Sequence, residues 1–421
     1  MSVTAVHVPP QAAAPALALR LPAWSLFGAV LSGAGLPIYI YAPKFYADNF
    51  GISLTLLGAV LFGLRLFDVV QDPVLGWVSE RLGRFRGMAM WLAGIVLAAS
   101  MYGLFAVEPP IGPVWWFGLT ITGLFSAFSF LTINFYAEGV TKAGRMLGGH
   151  TRLAGWRETG ALLGVCLAAI APSVLEPIVE APFAVFAVSF CLFVLAALIW
   201  MTPEWSGGGT QAPTPISAIL KDRIARRLLI LALVNAAPVA VSSTLFLFYV
   251  ESSLGMPGWE GPLLVLFFLA AAASSPLWAR LAFRIGPKRA LLNAMVLSIL
   301  FYGCVLTLGA GDVWLFAIIC VLSGATIGAD LTLLPAIFAG RMAKISSNGG
   351  QGFGLWSLVS KFTLAFAAAV LLPILQLSGF TSGAAENPAA ALSTLTLLYA
   401  LVPCIFKLVA IGLLVATRLE D

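Results

Sequence analysis

Apolar residues run along this chain in stretches of about twenty, broken by short connections that hold most of its polar and basic residues. Twelve such runs can be drawn, at about 22–42, 53–78, 88–106, 113–137, 153–175, 182–201, 227–250, 260–282, 290–309, 313–340, 353–378 and 391–416. A strand needs only about ten residues to cross a bilayer, so runs of this length predict helices and not a barrel. The expected fold class is an all-α membrane protein with twelve transmembrane helices.

Composition agrees, since 60% of the 421 residues are hydrophobic and only 10% are charged, outside the range of soluble domains. The placement of charge adds topology. Basic residues outside the runs gather in alternate connections and near the termini: Arg20, Arg81/Arg84/Arg86, Lys142/Arg145/Arg152, Lys221/Arg223/Arg226/Arg227, Arg280/Arg284/Lys288/Arg289, Arg341/Lys344 and Arg418. Lys44 alone stands on the other side. The positive-inside rule then places both termini in the cytoplasm, as an even number of crossings demands, in a multi-pass protein of the plasma (inner) membrane.

The net charge of +5 belongs to this topology and to contact with membrane lipid; it calls for no nucleic-acid partner. Residues 1–20, with Pro9, Pro10 and Pro15 among alanines, lack the parts of a signal peptide, so the first crossing is expected to direct insertion. Cys166, Cys191, Cys304, Cys320 and Cys404 show neither metal spacing nor pairing and read as small apolar packing residues. Gly28, Gly33, Gly123 and Gly164 read as sites of close helix approach.

The longest cytoplasmic connection carries Gly207-Gly208-Gly209-Thr210-Gln211-Ala212-Pro213-Thr214-Pro215 and then a short basic amphipathic run, the composition of a link between two bodies. It divides the chain into a tail (1–21), a six-helix bundle (22–201), a linker (202–226), a second six-helix bundle (227–417) and a tail (418–421). An internal repeat supports the division. Asp72-Pro73-Val74-Leu75-Gly76 leading to Gly83-Arg84-Phe85-Arg86-Gly87 is echoed by Ser275-Pro276-Leu277-Trp278-Ala279 leading to Gly286-Pro287-Lys288-Arg289-Ala290, with the same Pro-to-Gly spacing. Six-helix halves with a site between them are a pattern of secondary transporters.

Chemistry concentrates in the second run. Arg65, Asp68 and Asp72 lie at i, i+3 and i+7 on one helical face, with the two carboxylates one turn apart. Each charge in a membrane helix costs at least a few kcal/mol and marks ion paths and substrate sites. Two such acids can supply oxygen ligands to a monovalent cation, or share a proton through a raised pKa; an internal salt bridge with Arg65 is the structural alternative. The matching positions of the second half are Ala271 and Ser275, so the fold itself does not require acids there. A lone Lys361, about nine residues into its run, must find an acid or water, with Asp68 or Asp72 as the natural partner. No Ser–His, Ser–Lys or zinc spacing, and no phosphate loop, points to an enzyme.

The loop Gly76-Trp77-Val78-Ser79-Glu80-Arg81-Leu82-Gly83-Arg84-Phe85-Arg86 resembles the signature of the major facilitator superfamily, with Glu80 in place of its Asp. Arg65-Leu66-Phe67-Asp68-Val69-Val70-Gln71-Asp72-Pro73-Val74-Leu75-Gly76-Trp77 resembles the second helix of the melibiose-permease-like glycoside-pentoside-hexuronide:cation symporters. Phe45-Tyr46-Ala47-Asp48-Asn49-Phe50-Gly51 is similar to that family's first external loop. Arg152-Leu153-Ala154-Gly155-Trp156-Arg157-Glu158 is similar to the start of its fifth helix, and Gly352-Phe353-Gly354-Leu355-Trp356-Ser357-Leu358-Val359-Ser360-Lys361 to its eleventh.

That resemblance implies a major facilitator fold of two pseudo-symmetric six-helix bundles, acting as a monomeric symporter without cofactor and coupled to Na+ or H+. It implies a cation site, with Na+ possible, at Asp68 and Asp72 with Gln71 and Ser129, and a small-molecule substrate near Tyr39, Ser32, Thr132, Tyr136, Arg157, Trp356 and Lys361. It implies coupling or gating at Arg65, Lys361, Glu80, Arg81, Arg84 and Asp330. The solute would be a sugar, glycoside or uronate. Ser32 and Thr132 stand where the family has sugar-binding acids, and Tyr136 where it has a stacking Trp; Asn134, Trp156 and Gln71 would add polar edges. Lysolipid carriers of the same superfamily share the acid pair and the Lys, which keeps an amphipathic or steroid-like solute as the alternative; a non-transporting receptor is a third reading. Glu158 is expected to pair with a cytoplasmic Arg, and His150 to lie in a loop.

Overall fold

The computed structural model describes residues 20–143, 149–205, 214–345, 349–381 and 387–418. Its first half comprises α1 (Leu21–Phe50), α2 (Leu54–Arg81), α3 (Arg86–Phe105), α4 (Pro113–Ala143), α5 (Gly149–Leu175) and α6 (Pro182–Met201). A short α7 (Ile216–Lys221) precedes α8 (Arg223–Phe248), α9 (Glu260–Ile285), α10 (Pro287–Gly303), α11 (Val313–Ile345), α12 (Gly350–Leu377) and α13 (Ala389–Ala416). Among the described residues ten of these helices are long and apolar enough to cross a membrane. The other two long helices are α1, with an apolar described stretch Leu21–Gly35, and α2, which carries the buried acids.

Buried apolar side chains fall into separate clusters. One draws on residues from Leu21 to Trp205; the others come from α7 to α13, joined by Val140 of α4 and Leu162 of α5. Three helix pairs approach to backbone contact because glycine leaves room: α5 with α1, α12 with α2, and α11 with α9, where a Cβ on Gly328 would lie 2.6 Å from the Ala271 carbonyl. A Cβ on Gly160 or Gly164 of α5 would lie 2.0 Å from the Ser25 carbonyl or 2.1 Å from the Ala29 carbonyl of α1. Between the halves, a Cβ on Gly76 of α2 would meet the Gly350 carbonyl at 2.9 Å, and one on Gly354 of α12 the Asp72 carbonyl at 2.9 Å. With no hydrophobic driving force between helices in lipid, such close contact supplies the packing. Of the other glycines expected at close approaches, Gly28 and Gly33 face the backbone of α5, whereas Gly123 faces the Ser100 side chain.

The repeated motif takes the same form twice. Pro73 and Pro276 lie inside α2 and α9, and each helix is followed by a glycine with positive φ, 46° at Gly83 and 88° at Gly286. Two expectations are corrected. The segment Phe45 to Phe50, expected as an external loop, forms the last turns of α1, because Phe45 and Tyr46 pack on Phe105 and Phe117 (ring centroids 5.4 and 4.9 Å) while Asp48 and Asn49 face outward. His150 lies in the first turn of α5, not in a loop. Helix α8 starts at Arg223, ahead of the apolar run, because Asp222 caps it by accepting the Ala225 N–H at 2.7 Å.

Asp222 also binds Arg341 of α11 through two hydrogen bonds, 3.0 Å from Nε and 2.5 Å from Nη2. The Arg341 guanidinium holds its carboxyl below the ordinary value of 3.8, against a smaller opposing effect of burial. A depressed folded pKa gives stability that is present above the unfolded value and lost as pH falls through the folded one. Thermal stability of the wild type is therefore expected to drop more steeply than that of Asp222→Asn between about pH 5 and pH 3. Parallel melting curves for the two proteins across that range would refute it.

Candidate functional site

Lys361 of α12 reaches across to the first half and ends among oxygens of two of its helices. Its Nζ lies 3.1 Å from Asp68 Oδ2 and 3.0 Å from Asp72 Oδ2 on α2, and donates to Ser129 Oγ on α4 at 2.7 Å. Asp72 accepts from Lys361 Nζ at Oδ1 (3.1 Å) and, at Oδ2, from Ser357 Oγ, one turn before the lysine, at 2.6 Å. Asp72 and Ser129 are fully buried and Asp68 nearly so. The pairing follows from helix geometry. Asp68 and Asp72 share a face, Ser357 and Lys361 share another, and the glycine contact between α2 and α12 brings those faces together.

Ser129, Thr132 and Tyr136 follow at i, i+3 and i+7 along α4, so one stripe runs from the lysine toward the end of the helix. Thr132 Oγ1 is buried without a hydrogen-bond partner. Tyr136 donates to Glu158 Oε1 at 2.9 Å, and the Arg157 guanidinium stacks 3.7 Å from its ring centroid. Arg157 Nε also donates to Glu158 Oε1, at 2.9 Å. Glu158 thus pairs with its own neighbour and not with a distant cytoplasmic arginine. Both side chains are long enough to bend back over the tyrosine although their Cα positions differ by about 100° around the helix. Arg157 Nη2 is buried and unpartnered. Trp356 packs on Phe338 and Phe353 (4.9 and 6.4 Å), and Phe353 in turn on Tyr136 (5.1 Å).

Other expected residues stand apart. Gln71 has a buried Oε1 without a partner and no hydrogen bond to the lysine cluster. Ser32 is half-buried on α1. Asn134 is committed to Ser79, accepting its hydroxyl at 2.8 Å, and Trp156 faces outward at 45% exposure, so neither serves the stripe. The side chains of Tyr39 and Arg65 lie outside the described residues.

At the end that carries the basic loops, Glu80 works through backbone amides. It accepts from Gln351 N at 2.9 Å and from Thr214 N at 2.6 Å, tying the end of α2 to the first turn of α12 and to the linker. Gly349, the residue before α12, offers no side chain to cap it, and Glu80 does so from the other half. Arg81 and Arg84 stack on the rings of Trp77 and Phe85 in their own segment. Arg86 is the buried arginine of this loop, bound to Glu138 of α4 at 2.9 Å.

Asp330 belongs to a separate group inside the second half. Its Oδ2 pairs with Lys407 Nζ of α13, which also donates to Asn235 Oδ1 of α8 at 2.8 Å. Sequence reasoning does not single out Lys407, although it carries the same signal as Lys361, a lone ammonium in an apolar run. No group of three or more His, Cys, Asp or Glu side chains placed to hold a metal ion occurs among the described residues.

Long apolar helices in two bundles, with buried charge clustered between them, define an integral membrane transporter of the major facilitator superfamily. The chain belongs to the MFS/sugar transport protein family, whose profile matches residues 23–421. It is 26% identical over 132 residues to the raffinose permease of Escherichia coli, a match covering 30% of this chain and 31% of the permease. It is 37% identical over 83 residues to a probable nitrate/nitrite antiporter of Thermus thermophilus, covering 20% and 18%. These matches span less than a third of either curated relative. Among solved structures, a bacterial homologue of the iron transporter ferroportin in an outward-facing state superposes with a TM-score of 0.68 at 16% identity, covering 94% of this chain and 99% of that one. The human organic anion transporter MFSD10 gives 0.62 at 16%, covering 94% and 98%. At such identities the likeness is one of fold.

Proposed function

We propose that this protein is a twelve-crossing, cation-coupled symporter that carries a small polar solute, a sugar, glycoside or uronate, between its two halves by alternating access. The observation that carries the reading is the placement of Lys361. An ammonium from one half occupies a nest of oxygens, Asp68, Asp72 and Ser129, supplied by the other. Those are the oxygens a monovalent cation would use, so an arriving Na+ or proton competes with a tethered ammonium for the same place. Because the contact spans the halves, ion binding changes the energy of one arrangement of the halves relative to the other, which is what coupling requires.

The acids belong to this chemistry and not to the fold, since Ala271 and Ser275 occupy the equivalent positions of α9 and the Ser275 hydroxyl simply returns to its own helix at Ala271 O (2.9 Å). The solute class rests on the MFS/sugar transport family and on the partial likeness to raffinose permease. Tyr136, Arg157 and Trp356 supply ring faces and a buried donor on the same side of the cluster. On the positive-inside rule the end bearing Glu80 is cytoplasmic, so the described arrangement is closed at its cytoplasmic end.

The test is counterflow of radiolabelled galactosides, glucosides, pentosides and glucuronides, with a lysophospholipid as the amphipathic comparison, in vesicles with and without a Na+ or H+ gradient. Wild type is expected to concentrate one polar solute under one gradient, and Asp72→Ala to lose at least 100-fold of that accumulation while retaining exchange. Accumulation by Asp72→Ala with unchanged ion dependence would sink the proposal.

A further inference from the structure

We propose that the second half holds a ligand chamber of its own, inside its helical bundle, which takes a small neutral molecule with an apolar ring and one hydrogen-bond acceptor. A cavity of about 120 Å³ is lined by residues of α8, α9, α10, α11 and α13, and by none of α1 to α6 or α12. It therefore shares no wall residue with the Asp68–Asp72–Lys361 cluster. Aromatic rings form part of the wall, among them Phe246, Phe267, Phe316, Tyr302 and Tyr399. Pro238 and Pro403, inside α8 and α13, also face the space, and each removes one backbone hydrogen bond from its helix.

Lys407 gives the chamber its polarity. Lys407 is 2% exposed, and its ammonium has three N–H groups. Two are committed, to Asn235 Oδ1 at 2.8 Å and to Asp330 Oδ2, and Lys407 itself forms part of the chamber wall. The third donor is left for an acceptor inside the chamber. The pairing with Asp330 neutralises the lysine, so an anionic ligand would gain no net charge while meeting the Asp330 carboxylate in a medium of low dielectric. A neutral acceptor fits. Size sets an upper bound: at about 120 Å³ the chamber is somewhat smaller than an apolar cavity of about 150 Å³ that accommodates benzene, which limits it to a single small ring and excludes a disaccharide.

The experiment uses the full chain in detergent and follows 4-fluorophenol by fluorine NMR, with fluorobenzene as the probe lacking an acceptor and 4-fluorobenzoate as the anion. Wild type is expected to bind 4-fluorophenol saturably and more tightly than either comparison probe. Cys404→Phe, which places a ring in the chamber, is expected to weaken it at least tenfold. Ser323→Leu fills the same space from α11 and stands in should Cys404→Phe misfold. The pair Asp330→Asn/Lys407→Met is expected to reduce 4-fluorophenol to the affinity of fluorobenzene. Asp72→Asn, which disables the central cluster, is expected to leave 4-fluorophenol binding unchanged, so failure here is distinguishable from failure of the symport reading. Only non-saturable uptake into micelles, unaltered by the filling variants, would overturn the chamber. Preferred binding of 4-fluorobenzoate would overturn the neutral ligand, and loss of binding in Asp72→Asn would overturn its separation from the central cluster.

Discussion

Lys361→Met is expected to abolish gradient-driven accumulation, by at least 100-fold, and at the same time to make the protein's stability depend on the cation in the buffer. Removing the ammonium leaves Asp68 and Asp72 four residues apart without the lysine that now lies within 3.1 Å of both. Breaking a buried pair by removing one partner costs about 3–5 kcal/mol. A cation that enters the same oxygens recovers part of it, about 2.7 kcal/mol at a concentration 100 times its Kd. Melting temperatures in Na+ should therefore exceed those in N-methylglucamine by more in the variant than in wild type, or should rise on acidification if the ion is a proton. Lys361→Met/Asp72→Asn is expected to regain stability without regaining accumulation, which separates coupling from folding. A variant as cation-insensitive as it is inactive would refute the shared site.

That cluster was largely legible in the sequence, and for one reason: ionised groups in apolar runs are rare enough to be counted. Asp68, Asp72 and Lys361 announce themselves in this way, and helical periodicity places the two acids on one face. The neighbours that complete it are less visible. Ser357 resembles any small residue of a membrane helix, and only the glycine contact of α2 with α12 brings it to Asp72. Lys407 is as conspicuous in composition as Lys361, but its partners come from α8 and α11, and no spacing within α13 points to them. The basic loop misleads in the opposite direction. Its acidic and basic residues suggest ion pairs at the gate, whereas Glu80 binds amides, Arg81 and Arg84 stack on local rings, and Arg86 alone forms a buried pair. Helix ends were also poorly marked, because aromatic packing carries α1 beyond its apolar run.

Glu80→Ala is expected to shift the protein away from the arrangement described here. The carboxylate satisfies Gln351 N, which is buried, and Thr214 N, and both bonds connect elements that must separate when the halves open at this end. An orphaned buried donor costs about 1–3 kcal/mol. That cost falls only on the closed arrangement, because opening returns the amides to water. At about 1.4 kcal/mol per tenfold, the population ratio of closed to open should fall by roughly five- to 150-fold. Spin labels at Arg84→Cys and Lys344→Cys, exposed positions of opposite halves at this end, would report it in a Cys304→Ser background. A longer distance is expected to gain population in Glu80→Ala, and to a smaller degree in Glu80→Gln, whose remaining carbonyl oxygen can still accept one bond. Identical distance distributions in all three proteins would show that the glycine contact of α2 with α12 holds the halves together without the carboxylate.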